Sequence, residues 1–327
     1  MIRKKWRSEM CDEIYFGIDI GGTAVKMGIM NSRGELFASD TASVNFDQYE
    51  TPILQTVKKV SAVFIEEHPE YKDKLKAIGI SATGQIDSRT GVVSGTAGHI
   101  KNWQDSRIKE EMEELFRLPV AVANDANCAA LGEYWIGAAR GAEDVIVITV
   151  GTGIGGGIIT GGKLLSGARG IAGEMGHFSI KSDGEECTCG NRGCYERYAS
   201  TTALVRMINE RMKKGELKTF ADNVSGKTIF EELEKGNAKL QAAVEEWIDY
   251  VADGLVSLVH IFNPSMIIIS GGVSMQKERF IDPLSVKIKD RIMPAYRENL
   301  EIRQAALKNN AGLAGAIYNC ICTLIEE

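Results

Sequence analysis

The chain has 327 residues, 44% of them hydrophobic and 25% charged, so it can bury large cores, and its length favours two domains over one. Its formal net charge of −6 argues against general nucleic-acid binding, which needs a basic face. No apolar run is long enough to span a membrane, and the basic start Met1-Ile2-Arg3-Lys4-Lys5-Trp6-Arg7 lacks the apolar stretch of a secretory signal, so 1–13 reads as a solvated tail.

Tyr15 to Ile20 is a short apolar strand with Asp19 near its end. Gly21-Gly22 then turns the chain into a second strand, Val25 to Met30, which makes a β-hairpin with Gly-Gly-Thr at its tip. Helical spacing runs from about Thr51 to Glu67, with Ile53, Val57, Val60 and Phe64 on one face. Ala77 to Ser81 is a further strand that enters the turn Ala82-Thr83-Gly84-Gln85. Ser106 to Arg117 is a short amphipathic helix and Pro119 to Ala123 a strand, after which Asn124-Asp125-Ala126-Asn127 opens a helix through Tyr134.

The second half repeats the theme about 130 residues later. Strand Val145 to Val150, a glycine turn, strand Ile158-Ile159 and turn Gly161-Gly162 echo the first hairpin, with Thr149-Val150-Gly151-Thr152-Gly153 opposite Asp19-Ile20-Gly21-Gly22-Thr23. The repeat predicts a duplicated α/β unit and hence two similar lobes. Val244, Trp247, Ile248, Val251, Leu255, Leu258 and Phe262 form one apolar helix face that Pro264 ends. Met266 to Ile269 is a strand opening onto Gly271-Gly272, and a last apolar helix runs from about Ala311 to Ile325.

Four motifs carry chemistry. Each glycine turn either closes a tight hairpin or presents backbone N–H groups to an anion. Gly151-Thr152-Gly153-Ile154-Gly155-Gly156 fits the dinucleotide fingerprint in letters, but the chain turns again at Gly161-Gly162 where that fingerprint needs a helix. Asp19 caps its turn or, beside bound phosphates, holds Mg²⁺. Asp125 is a helix N-cap or a general base that takes a proton from a substrate hydroxyl, with Asn124 and Asn127 bonding the same polyol.

Seven cysteines is an odd count for a disulfide framework. Cys11, Cys128, Cys320 and Cys322 are scattered, but Cys187, Cys189 and Cys194 share one glycine-rich loop with His177 nearby. One imidazole and three thiolates in the spacing Cys-x-Cys-x4-Cys are the Cys3His set of a closed, structural zinc site, and they imply a reducing, cytoplasmic compartment. Such a metal would hold Glu174 and Glu196 rigid, ready to grip sugar hydroxyls, and leave the other ring nitrogen of His177 facing outward.

These residues together resemble the ROK (repressor, open reading frame, kinase) family of the actin-like hexokinase superfamily. Ile18-Asp19-Ile20-Gly21-Gly22-Thr23-x-x-Lys26 is similar to the family's first phosphate motif, and Gly151-Thr152-Gly153-x-Gly155-Gly156-Gly157 to its second. Asn124-Asp125-Ala126-Asn127 resembles the sugar and base motif, Glu174-x-Gly176-His177 with Cys187 to Glu196 the zinc and sugar segment, and Ile269-Ser270-Gly271-Gly272 the adenosine-side turn. The turn Ser81-Ala82-Thr83-Gly84 departs from the family in lacking its frequent proline.

The resemblance implies an α/β fold with two lobes of the actin-like ATPase (ribonuclease H-like) type and a cleft between them. The small lobe would comprise 14–122 plus 311–327, and the large lobe 123–310 with its zinc loop at 174–196. It implies transfer of phosphate from ATP to a hexose, with glucokinase the leading reading and N-acetylmannosamine, N-acetylglucosamine, fructose or β-glucoside kinase the alternatives. Asp125 would be the base and Asp19 the Mg²⁺ ligand. Gly21, Gly22, Thr23, Lys26, Thr152 and Gly153 would bind phosphates, and Gly271 and Gly272 the nucleotide. Gly84, Asn124, Asp125, Glu174, His177 and Glu196 would line the sugar. A homo-oligomer, dimer or tetramer, is implied as well. About 14 residues before the first strand are too few for the DNA-binding domain of the family's repressors, and a non-catalytic sugar-binding regulator is the rival from another class.

Overall fold

Two five-stranded sheets of one strand order organise the chain. The computed structural model describes residues 12–95 and 100–326, so most of the tail expected over 1–13 lies outside the described residues. The first sheet has the order β3-β2-β1-β4-β7, from β1 (Ile14–Ile20), β2 (Ala24–Asn31), β3 (Leu36–Ser43), β4 (Leu75–Ala82) and β7 (Val120–Asn124). Between β4 and β7 lies a separate two-stranded sheet, β5 (Gln85–Asp87) with β6 (Val92–Gly95). The second large sheet has the order β10-β9-β8-β11-β12, from β8 (Val145–Val150), β9 (Ile154–Thr160), β10 (Lys163–Leu164), β11 (Met266–Ser270) and β12 (Glu301–Gln304). In each, an antiparallel hairpin is followed sideways by two parallel strands. The repeat seen in the glycine turns is therefore a repeat of topology.

The longer helices are α1 (Ile53–Glu66), α2 (Ile108–Phe116), α3 (Asp125–Trp135), α4 (Thr201–Lys213), α5 (Gly226–Leu233), α6 (Ala238–Phe262), α7 (Asp282–Arg291) and α8 (Ala311–Glu326). The glycine run of the second half is shorter as a turn than its sequence suggests. Only Gly151–Gly153 turn the chain, and Gly155–Gly157 continue as β9. Gly156 is there for space, since a Cβ would stand 2.2 Å from the Val147 carbonyl oxygen.

The chain divides into two units, 1–140 with 164–172 and 309–327, and 141–163 with 173–308. The expected break between residues 122 and 123 thus falls after Arg140, and the chain returns to the first unit at Asn309. The reason is physical. β7 is the fifth strand of the first sheet, and α3, which follows it, packs along α8. Within the first unit Ala311, Leu313, Ala314, Ala316, Ile317, Cys320 and Ile321 of α8 are buried against α3, β1, β4 and β7. Small residues let α8 approach: a Cβ at Gly17, Gly79, Gly132 or Gly315 would lie 1.6–2.8 Å from the facing atoms. A second layer of core, with Phe16 stacked on Phe64 at 5.6 Å, fixes α1 to the same sheet.

In the second unit Trp247 and Phe280 stack at 4.9 Å and are both fully buried, which joins α6 to the segment just ahead of α7. α6 ends at Asn263, whose left-handed conformation (φ 46°) caps the helix before Pro264. No helix among the described residues is long and apolar enough to cross a membrane.

Candidate functional site

Three parallel strands of the first unit finish in line. Ile20 of β1 pairs with Ala82 of β4, which pairs with Asn124 of β7, so Gly21, Thr83 and Asp125 leave the sheet side by side. Ligands of open α/β sheets bind beyond such carboxyl ends. Asp19, one residue before the end of β1, is in register with Ser81, whose hydroxyl donates to Asp19 Oδ1 at 2.6 Å. Burial raises the Asp19 carboxyl above the ordinary carboxylate range, and the Ser81 hydroxyl and Lys26 oppose that shift.

Asn124, rather than Asp125, is the N-cap of α3. Its Oδ1 accepts from the N–H groups of Ala126 (2.9 Å) and Asn127 (3.2 Å), and its amide donates to Gly84 O (2.8 Å) and Asp125 Oδ1 (3.0 Å). Four bonds use its full capacity, so in this structure Asn124 positions Gly84 and Asp125. The Ala126 N–H also donates to Asp125 Oδ1, at 2.8 Å. The Asp125 carboxylate is therefore fixed at the start of a helix, where the helix dipole favours its charge.

The turn without the family's proline is held in other ways. Gly84 adopts φ 99°, a conformation glycine reaches without strain, while Trp103 Nε1 donates to Thr83 O at 2.8 Å. The first glycine turn is held by the Tyr49 hydroxyl, which donates to Gly22 O at 2.7 Å. Lys26 ties its ammonium to Asn310 Oδ1 and to Asn309 O (3.4 Å), just ahead of α8.

In the second unit the ligating atoms of His177, Cys187, Cys189 and Cys194 all lie within 4.8 Å of one another. Cys189 and Cys194 Sγ are 3.5 Å apart, and Cys187 Sγ is 3.6 Å from His177 Nδ1. Tetrahedral zinc with bonds near 2.3 Å sets its sulfur ligands about 3.8 Å apart, so the quartet fits that ion. Burial pushes the Cys194 thiol up to about 12 and raises Cys187, while the Asn191 backbone N–H lowers Cys189. Buried thiolates of this kind need a cation beside them. His177 turns Nδ1 to the sulfurs and Nε2 to Glu174, 4.0 Å away, as expected for the outward nitrogen.

The chain leaving the metal loop is anchored to α6: the Tyr195 hydroxyl donates to Val251 O at 2.6 Å and Trp247 Nε1 to Ser200 O at 3.1 Å. It runs straight into the second glycine turn, because Thr201 N donates to Gly151 O at 2.8 Å. Glu196 lies between the two features. Its Oε1 is 3.5 Å from Cys187 Sγ, and its Oε2 stands 2.8 Å from where a Cβ of Gly153 would be. Gly271 (φ 93°) faces the same strand end, 2.2 Å from Val150 O if a Cβ were added.

A cavity of about 670 Å³ opens beyond this turn, lined by Gly151, Thr152 and Gly272 together with residues the sequence reading did not name. Thr201, Thr202, Ser225, Gly226 and Lys227 come from the first turns and caps of α4 and α5, and Val205, Val224, Phe230 and Val273 give it apolar walls. Helix starts, oriented N–H groups and apolar walls suit a molecule with an anionic end and a flat apolar end. The signal available in sequence was the capping pattern at Ser200 and Ser225.

The sequence profile of the ROK family matches residues 15–321. The glucokinase of Halalkalibacterium halodurans is 34% identical over 315 residues, which cover 94% of this chain and 94% of that protein. The xylose repressor of Caldicellulosiruptor bescii is 32% identical over 315 residues, 95% of this chain and 78% of that protein. Among solved structures, a ROK family glucokinase from Streptomyces griseus in complex with glucose and AMPPNP has a TM-score of 0.77 at 34% identity, covering 93% of this chain and 97% of that one.

Proposed function

We infer the function from the premise that this chain belongs to the ROK family, whose profile covers residues 15–321. It is a sugar kinase: it moves the γ-phosphoryl group of ATP to a hexose hydroxyl, and glucose is the sugar that its glucokinase relatives favour. The observation that carries the reading is the fixed carboxylate of Asp125, at the end of β7 and bonded to the same Asn124 amide that holds Gly84.

Asp125 takes the proton of the attacking hydroxyl, whose oxygen bonds to the γ-phosphorus as the bond from phosphorus to the β-γ bridging oxygen breaks and ADP leaves. Gly84, Glu174, His177 and Glu196 orient the sugar, and Asn124 acts on it through Gly84 and Asp125, which it holds. N–H groups of Gly21-Gly22-Thr23 and Thr152-Gly153 face the charge that develops on the phosphoryl oxygens. The cavity bounded by Gly272 and Phe230 takes the nucleoside. Asp19, a hard oxygen donor beside the first glycine turn, would hold Mg²⁺, which would supply positive charge against the phosphates. His177, Cys187, Cys189 and Cys194 would hold zinc with four protein ligands, leaving it no open position, so its part is structural. ATP as substrate and thiolates as ligands both require a reducing, nucleotide-containing compartment, the cytoplasm. A homo-oligomer and entry of glucose into glycolysis belong to the same reading.

The repressor relative favours one other reading, a sugar-binding regulator without turnover. ADP release from MgATP across glucose, mannose, fructose, N-acetylglucosamine, N-acetylmannosamine and cellobiose decides between them, with Asp125→Asn as the blank. Glucose turned over far better than the rest is the expected result. Silence across the panel from a zinc-carrying protein that still binds sugar overturns the kinase reading.

A further inference from the structure

We propose that Ser81 is a positioning residue for the metal-binding carboxylate, locking Asp19 so that only its Oδ2 is offered to the cation that arrives with the nucleotide. The inference rests on the kinase reading and goes beyond it in assigning a residue outside the phosphate and sugar motifs.

The geometry is local and complete. The parallel register of β1 and β4 sets Asp19 beside Ser81, and the Ser81 hydroxyl, 0% exposed, spends its one proton on Asp19 Oδ1 at 2.6 Å. Among the described residues no hydrogen bond reaches Oδ2. The other side of the carboxylate is closed by Gly312 in the first turn of α8, where a Cβ would lie 2.6 Å from Oδ2 and 2.7 Å from Oδ1. Asp19 thus sits in a slot between a hydroxyl and a bare Cα, and neither wall can move independently, because α8 is packed along β1 and β4. Ser81 is fully buried, so its hydroxyl has no bulk water to rotate toward.

The second unit is an internal control. Its equivalent pair, Thr149 of β8 and Ser270 of β11, has the same register, yet there the partner of the serine is a hydroxyl. The serine at the strand end is common to both sheets, but only in the first does it meet a carboxylate. Outer groups that orient a metal ligand typically change metal affinity about 10- to 100-fold when removed.

The test is calorimetric titration of ATP into the full chain at stepped Mg²⁺ concentrations, read as the Mg²⁺ concentration for half-maximal binding. Ser81→Ala should raise that concentration about tenfold, the lower end for such outer groups. Its zinc content and its glucose binding without nucleotide should stay at wild-type values. Ser81→Thr, which keeps the hydroxyl, should return the curve toward wild type. Gly312→Ala, which presses on both carboxylate oxygens while leaving Ser81 in place, should shift it in the same direction as Ser81→Ala. A folded Ser81→Ala with the wild-type Mg²⁺ requirement overturns the proposal, and if that variant does not fold, an unshifted Gly312→Ala does so. Wild-type protein that binds no ATP at any Mg²⁺ concentration would instead overturn the kinase reading beneath it.

Discussion

The two sheets share a strand order and differ at their tips. In the first, the strand before the glycine turn carries Asp19, half-buried and bonded to Ser81. In the second, the equivalent residue is the neutral Thr149, paired with Ser270. Each turn offers backbone N–H groups, but only in the first does the strand that leads into the turn carry a carboxylate; the Glu196 carboxylate beside Gly153 comes from the metal loop. At this register position the duplicated scaffold differs by one side chain, Asp19 against Thr149. One tip suits a cation that accompanies phosphates, and the other suits the phosphates themselves. Among the described residues only the second unit carries a Cys3His cluster, and the segment that leaves it bonds the turn at Gly151 through the Thr201 N–H.

The largest effect should come from the first unit. Asp125→Asn should lower kcat about 10²- to 10⁴-fold while sugar affinity holds, as measured by steady-state kinetics and calorimetry. Turnover near wild type would show that the base lies elsewhere. Next comes the cluster of the second unit. Cys194→Ser should take zinc from about one ion per chain to nearly none, by metal analysis, and cost about 4 kcal/mol or more of stability in denaturant. A variant that loses the metal and melts unchanged would contradict a structural role.

Equalising the two tips tests the comparison itself. Thr149→Asp should weaken ATP binding at least about tenfold, because a second carboxylate repels the phosphates at close range. Equal affinity would mean that this turn does not face them. The smallest effect is expected at Gly153→Ala, whose new Cβ meets the movable end of Glu196 at 2.8 Å. Displacing one sugar-orienting carboxylate without removing it should raise the KM for sugar about three- to tenfold, on the scale of one ordinary hydrogen bond, with kcat and melting nearly unchanged.

The site was legible in sequence because its chemistry is local. Asp19, Asn124-Asp125 and the Cys-His cluster each lie within a short motif, and strand register brings Ser81 to Asp19 and sets Asn124 level with Ala82. Helices α1, α2 and α6 were legible because their apolar faces repeat, and α3 because Asn124-Asp125 opens it at a strand end. β3 was not, since Leu36–Ser43 is an edge strand with exposed Leu36 and Phe37 and no clear alternation. β12 likewise has only four residues, none of them buried. The break between units was misplaced because a strand and its following helix look the same whichever sheet they join. The apolar walls of the cavity were missed because Val205, Val224, Phe230 and Val273 are far apart in sequence and belong to no motif.

The return of the chain at α8 has a consequence for synthesis. The first unit lacks the helix that covers β1, β4 and β7 until some 170 residues after Arg140 have been made. At about 5–20 residues per second that is roughly 10–30 s, during which the second unit is still being made and the first has an uncovered apolar sheet face. The nascent first unit is therefore the part of this protein most exposed to aggregation on the ribosome, and the one a chaperone that shields apolar sheet would serve.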